Sequence, residues 1–172
     1  VTMLSAVGIK AYPVLVPVGF RGETSKRLPS PGMFDHAIAV AEIDGKQVWM
    51  DTTAEVCPFN QLPEADRGLE VLVIKPTGGE FVKTPSFADD ENKTVQTVNI
   101  KLNADGGITS SVAWYSTGSE DLGARATYKY AKPTEIKEGF ESTVASVCPD
   151  AVLGNYSVSD PFKRDEPLKI SY

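Results

Sequence analysis

The chain is poor in the residues on which metal, redox and disulfide chemistry are usually built. Among 172 residues there are one histidine, two cysteines and three methionines. Two cysteines cannot form a disulfide scaffold, so burial of apolar side chains must hold the fold together. Cys57 and Cys148 either pair or remain reduced thiols. One His with Asp35, Glu42 or Asp51 supplies too few ligands at suitable spacing for a metal, and no Cys pair completes a set. No metal or other cofactor is therefore expected. Positive charge is also scarce: 17 Lys and Arg against 23 Asp and Glu leave a net charge of −6. Because nucleic-acid affinity rests on counterion release at basic patches, a nucleic-acid partner is not expected. No run approaches the roughly 20 apolar residues of a bilayer-spanning helix, so no membrane span is expected either. Finally, Val1-Thr2-Met3-Leu4 has no initiator Met, basic n-region or signal-type apolar core, and reads as a cut into a longer protein.

What is present suffices for one ordinary core or two small ones, since 41% of the residues are hydrophobic. Thr2 to Ile9 carries apolar residues at helical spacing, with Gly8 placed as a left-handed C-terminal cap. Ala11 to Val18 reads as a strand constrained by prolines, and Gly19 to Met33 as a long surface loop. Phe34 to Ile43 and Lys46 to Thr53 are extended runs joined by Asp44-Gly45, the strongest short hairpin signal. A second loop, Glu55 to Gly68, precedes a buried-type strand, Leu69 to Lys75, closed by Pro76-Thr77-Gly78-Gly79. A polar stretch from Thr84 to Lys93 marks a domain boundary. Beyond it, Thr94 to Leu102 and Ile108 to Tyr115 form another hairpin. Glu120 to Lys129 and Thr134 to Val147 follow as helices, the second with Thr134 as N-cap and Ile136, Phe140, Val144 and Val147 on one face. Tyr156 to Ser159 and Leu168 to Tyr172 are the last strands.

Chemistry concentrates on the first hairpin. With Asp44 and Gly45 as the central residues of a type I′ turn, His36 falls opposite Thr53 and Ile38 opposite Asp51. His36 and Asp51 then share a face as diagonal neighbours, whose backbones stand roughly 7–8 Å apart, near enough for imidazole and carboxylate to meet. Val40 and Trp49 make the rest of that face apolar. The other face, with Ala37, Ala39, Ala41, Val48 and Met50, is apolar too, which predicts a central strand pair. A three-residue turn with a bulge would send Asp51 to the opposite face. A carboxylate so placed fixes the imidazole tautomer and stabilises the imidazolium formed when the ring takes a proton from a nucleophile. Neither Cys57 nor Cys148 begins a helix, where the dipole would lower a thiol's pKa, so neither is the expected nucleophile.

Several motifs carry a family resemblance in order and spacing over roughly the first 80 residues. They are Thr2-Met3-Leu4-Ser5-Ala6-Val7-Gly8-Ile9-Lys10-Ala11, Val14-Leu15-Val16, Leu28-Pro29-Ser30-Pro31, Phe34-Asp35-His36-Ala37-Ile38, Trp49-Met50-Asp51-Thr52-Thr53 and Pro58-Phe59-Asn60-Gln61-Leu62-Pro63. Together they resemble the second half of a bacterial transglutaminase-like domain. The resemblance implies a papain-like cysteine core with His36 and Asp51 as two members of a Cys-His-Asp triad. Asp51-Thr52-Thr53 stands where the family usually has Asp-Pro-Thr. The resemblance puts the Cys at the start of the helix that ends in Met3 to Ile9, two to three turns before Val1, so this chain itself is expected to show no turnover.

The implied fold class is α+β: an antiparallel sheet remnant of a transglutaminase-like core over residues 1–85, then a small β-rich accessory domain with one or two helices over 93–172. Phe34, Trp49 and Phe59 are candidates for a substrate groove beside His36, with packing the commoner use for Trp49. The implied partner is a protein or peptide substrate, and the implied location is the bacterial periplasm or envelope. Two function classes follow: a thiol enzyme acting on amide bonds through an acyl-thioester, or a non-catalytic scaffold and binding module. Retention of both His36 and Asp51 favours the enzyme.

Overall fold

The computed structural model describes residues 1–19, 30–86, 88 and 91–172. The fold is α+β, with an antiparallel sheet in each of two compact units, residues 1–87 and 88–172. Most of the long loop expected after Gly19, including Leu28-Pro29, lies outside the described residues.

In the first unit, helix α1 (Thr2–Ala6) ends in a Schellman motif. Gly8 takes φ +78°, and the amides of Gly8 and Ile9 donate to the carbonyls of Ser5 and Leu4. Five strands follow: β1 (Lys10–Val16), β2 (His36–Ile43), β3 (Lys46–Met50), β4 (Glu70–Lys75) and β5 (Gly78–Lys83). They lie in the order β3-β2-β1-β4-β5. Pro13 sits inside β1 opposite Ala39, while the ladder to β4 begins at Val14. One sheet face builds the core from Val14, Val16, Ile38, Val40, Trp49, Val71 and Val73, and Leu62 of the following loop closes over it. Small residues, Ala11, Ala39, Ala41 and Val48, are buried on the other face.

Two expectations need correction here. The β2–β3 hairpin is not a central pair: β2 is interior, but β3 is an edge among the described residues. Apolar residues on both faces report cover above and below a strand, and say nothing of whether its outer edge is paired. Strand β5 was not anticipated. Its Gly78-Gly79-Glu80 start has no β-branched residue, and it forms by pairing along β4 through the two-residue turn Pro76-Thr77.

The second unit pairs β6 (Thr94–Leu102), β7 (Ile108–Ser116), β8 (Ser157–Val158) and β9 (Lys169–Ser171) in the order β6-β7-β9-β8. Helices α2 (Ser119–Tyr128) and α3 (Pro133–Val147) lie between β7 and β8 in the chain. Its core is Phe140, Leu168 and Ile170, with Trp114, Tyr128, Ile136, Tyr156 and Tyr172 packed against them. The α3 N-cap is Lys132, not Thr134. Pro133 takes the first helical position, where its missing N–H costs nothing, and Glu135 Oε2 accepts from the Lys132 amide at 2.9 Å. The expected apolar face ends early, since Val147 is 82% exposed.

A buried ion pair ties this unit's late loop to α2. Arg125, 1% exposed, donates from Nε to Asp121 Oδ2 at 2.6 Å and from its terminal nitrogens to the carbonyls of Pro161, Lys163 and Glu166. Asp121 Oδ1 in turn accepts from the Leu168 amide at 2.7 Å. Removing one partner leaves the other charge buried and unpaired, which costs about 3–5 kcal/mol. Arg125→Ala is therefore expected to lower the stability of the second unit by that amount. Native-state hydrogen exchange should lose protection at β7 and β9 amides and keep it at β1 and β2; equal losses in both units would contradict this.

Candidate active site

Asp44 and Gly45 take φ of 49° and 74°, the pair of positive values that a type I′ turn demands. The resulting register pairs Ile43 with Lys46, Val40 with Trp49 and Ala39 with Met50. It is the register read from the sequence. Continued by one position, it sets Asp51 opposite Ile38 and diagonal to His36.

His36 is the first residue of β2, and its start is anchored from β1. The Asp35 amide donates to the Val16 carbonyl, and Asp35 Oδ2 accepts from the Gly19 amide at 2.7 Å. His36 Nε2 stands 3.3 Å from Asp51 Oδ2, with side-chain exposures of 26% and 5%. The other carboxylate oxygen, Asp51 Oδ1, accepts from the Thr53 amide at 2.9 Å and from the Thr53 hydroxyl at 2.8 Å. Burial works to raise the Asp51 pKa, but these Thr53 donors, together with His36, outweigh it and hold the carboxyl below its ordinary 3.8. Asp51 is thus a fixed anion, with one oxygen locked by its own turn and the other aimed at imidazole.

A third group completes the site and was not anticipated. The loop from Glu55 to Gly68 returns across the sheet, with Leu62 inserted in the core and a 3-10 turn at Glu64–Asp66. That turn buries Asp66 to 2% exposure. Asp66 Oδ1 lies 3.9 Å from His36 Nε2, and Asp66 Oδ2 is buried with no hydrogen-bond partner. The Asp66 pKa is pushed up to about 6, first by burial and then by the Asp51 carboxylate beside it, with His36 pulling the other way. One imidazole nitrogen and two carboxylate oxygens lie within 4.8 Å of one another, a spacing at which such groups share a proton or a divalent cation. Both carboxylates face Nε2, leaving Nδ1 on the other edge of the ring for chemistry. Nothing in Leu62-Pro63-Glu64-Ala65-Asp66-Arg67 marks Asp66 out, because an acidic residue in a polar loop is ordinarily solvated.

The remaining sequence candidates divide. Phe34 is half-buried two residues before His36, and Phe59 is 74% exposed. Trp49 is 4% exposed and belongs to the core, which leaves it no open face for a groove. Cys57 is buried with Sγ donating to the Gln61 carbonyl, Cys148 is exposed, and the two are not bonded. No helix among the described residues is long and apolar enough to cross a membrane.

No family model, curated protein or solved structure matches the chain.

The Asp66 and Asp51 values give stability opposite dependences on pH. Asp66 has a folded-state pKa above the ordinary 3.8, so folding takes up a proton. The cost of its buried charge is full above about pH 6 and vanishes as pH falls toward 3.8. Asp51, held below 3.8, contributes stability that is full above that value and is lost only in stronger acid. Asp66→Asn, which cannot ionise, is expected to stabilise the first unit by about 1–3 kcal/mol at pH 8 and to give no gain near pH 4. Urea titrations followed on the Trp49 indole resonance at the two pH values check this.

Proposed function

We propose that this chain carries the acid–base half of a transglutaminase-like thiol enzyme acting on amide or peptide bonds. The observation that carries this reading is His36 Nε2 held 3.3 Å from a nearly buried Asp51 whose other oxygen is taken by Thr53. Asp51 keeps the proton on Nε2, so Nδ1 is free to accept one.

In this reading the nucleophile is a cysteine at the start of the helix that ends with α1, in a segment preceding Val1. Nδ1 takes the thiol proton, and the thiolate adds to the amide carbonyl. Collapse breaks the C–N bond, the leaving amine takes the proton from the imidazolium, and an acyl-thioester remains. Water or an amine then attacks, with Nδ1 accepting its proton, and the thiol is regenerated as the acid or new amide leaves. The resemblance also suggests a protein or peptide substrate and an envelope or periplasmic setting.

The test uses the full gene product, including residues before Val1. Iodoacetamide is expected to abolish activity toward peptide amides, and quenched reactions are expected to contain an acyl-thioester by mass spectrometry. His36→Ala and Asp51→Asn should each lower kcat/KM by about 10³-fold or more. A thiol that labels no faster than free cysteine, with no acyl-enzyme, would make the domain a non-catalytic scaffold and end the enzyme reading.

A further inference from the structure

We propose that Asp66 is a positioning residue of this site, a buried carboxyl that shares a proton with Asp51 and thereby holds Asp51 against His36. The geometry that calls for it is an excess of acceptors. Asp51 and Asp66 are 5% and 3% exposed at their side chains, and both turn oxygens toward His36 Nε2, at 3.3 and 3.9 Å. Ionised carboxylates only accept hydrogen bonds, and His36 Nε2 brings a single N–H to the cluster. Thr53 supplies two donors, both spent on Asp51 Oδ1. Asp66 Oδ2 is left buried with nothing to bond. A proton on Asp66 converts that orphaned acceptor into a donor toward Asp51 and removes one of two adjacent buried negative charges.

Among the described residues, His36 and Asp51 are the charged groups that bear on the ionisation of Asp66. The ionisable groups facing Asp66 from the packed elements are His36 at the start of β2 and Asp51 directly after β3. Within its own turn, Glu64 is exposed, and Arg67 turns its Nε to the Leu62 carbonyl at 2.7 Å. Asp66 ionises at about pH 6. Below that, Asp51 is held by donors from Thr53, His36 and Asp66. Above it, Asp51 is pushed by a second carboxylate, and the grip on His36 loosens. Asp66 positions Asp51 and takes no part in bond making.

This inference explains how the dyad of the proposed enzyme is held, but its test needs no nucleophile. His36 is the sole histidine of the chain, so ¹⁵N spectra of the 172-residue protein contain one imidazole. In the wild type, the Nε2–H resonance should be sharp and slowly exchanging at pH 5 and broaden as pH rises through about 6, together with the ¹³C carboxyl titration of Asp66. Asp66→Asn, which donates through its amide at any pH, should keep the resonance sharp to pH 8. Asp66→Leu, which has no donor, should broaden it even at pH 5. In full-length enzyme, Asp66→Asn should remove an inflection near pH 6 from the kcat/KM profile.

Three results would overturn the inference: an Asp66 carboxyl that titrates near 4, a His36 signal indifferent to all Asp66 variants, or a Zn²⁺- or Mn²⁺-dependent change at His36 that Asp66→Asn abolishes. The last would mean that a cation, not a proton, joins the three groups. Because the carboxyl titration is read on the wild type, the outcome stands even where Asp66→Leu fails to fold. A coupled Asp66 titration in a protein whose full-length form has no reactive thiol would sink the enzyme reading and leave this one intact.

Discussion

Asp44 and Gly45 reverse the chain between β2 and β3 in two residues, and the directions of the His36 and Asp51 side chains follow from that count. Because side chains alternate along a strand, one more residue in the turn would carry Asp51 to the far face of the sheet. The backbone cost is small, since glycine and aspartate tolerate the positive φ values of a type I′ turn better than most residues do. In return the turn places His36 and Asp51 on the same sheet face as Val40 and Trp49.

That pair depends on two further segments for its final form. The residues directly after β3 fold back so that Thr53 satisfies one oxygen of Asp51, leaving the other for His36. The longer loop to Gly68 is pinned by Leu62 in the core, and its 3-10 turn delivers Asp66. The site is therefore an assembly of one strand start, one strand end and one loop, each held by a different kind of interaction. Pairing, local hydrogen bonding and apolar burial contribute in that order along the chain. The second unit solves a similar problem differently: Arg125 gathers three loop carbonyls and Asp121, so that a loop with little apolar content is secured by a fully satisfied buried charge.

Much of this was legible in the amino-acid order where the signal was local. Asp44-Gly45 specified a turn type, the turn type specified a register, and the register put His36 beside Asp51. Gly8 marked the end of α1. Local signals failed where neighbours decided the outcome. β5 has a weak strand composition and exists because β4 had an edge to offer. β3 is apolar on both faces yet lies at the sheet edge among the described residues, because burial and edge pairing are separate properties.

By itself the sequence determined the α+β class, the hairpin register and the imidazole–carboxylate pair, because each is a matter of alternation, spacing and turn chemistry over a few residues. Only the tertiary structure decided that Asp66 belongs with them. It lies 15 residues beyond Asp51, in a loop without periodicity, and its ionisation is set by burial and by a neighbouring charge. Neither exists until the loop has packed, so a residue that reads as an ordinary solvated acid becomes the most perturbed carboxyl of the site.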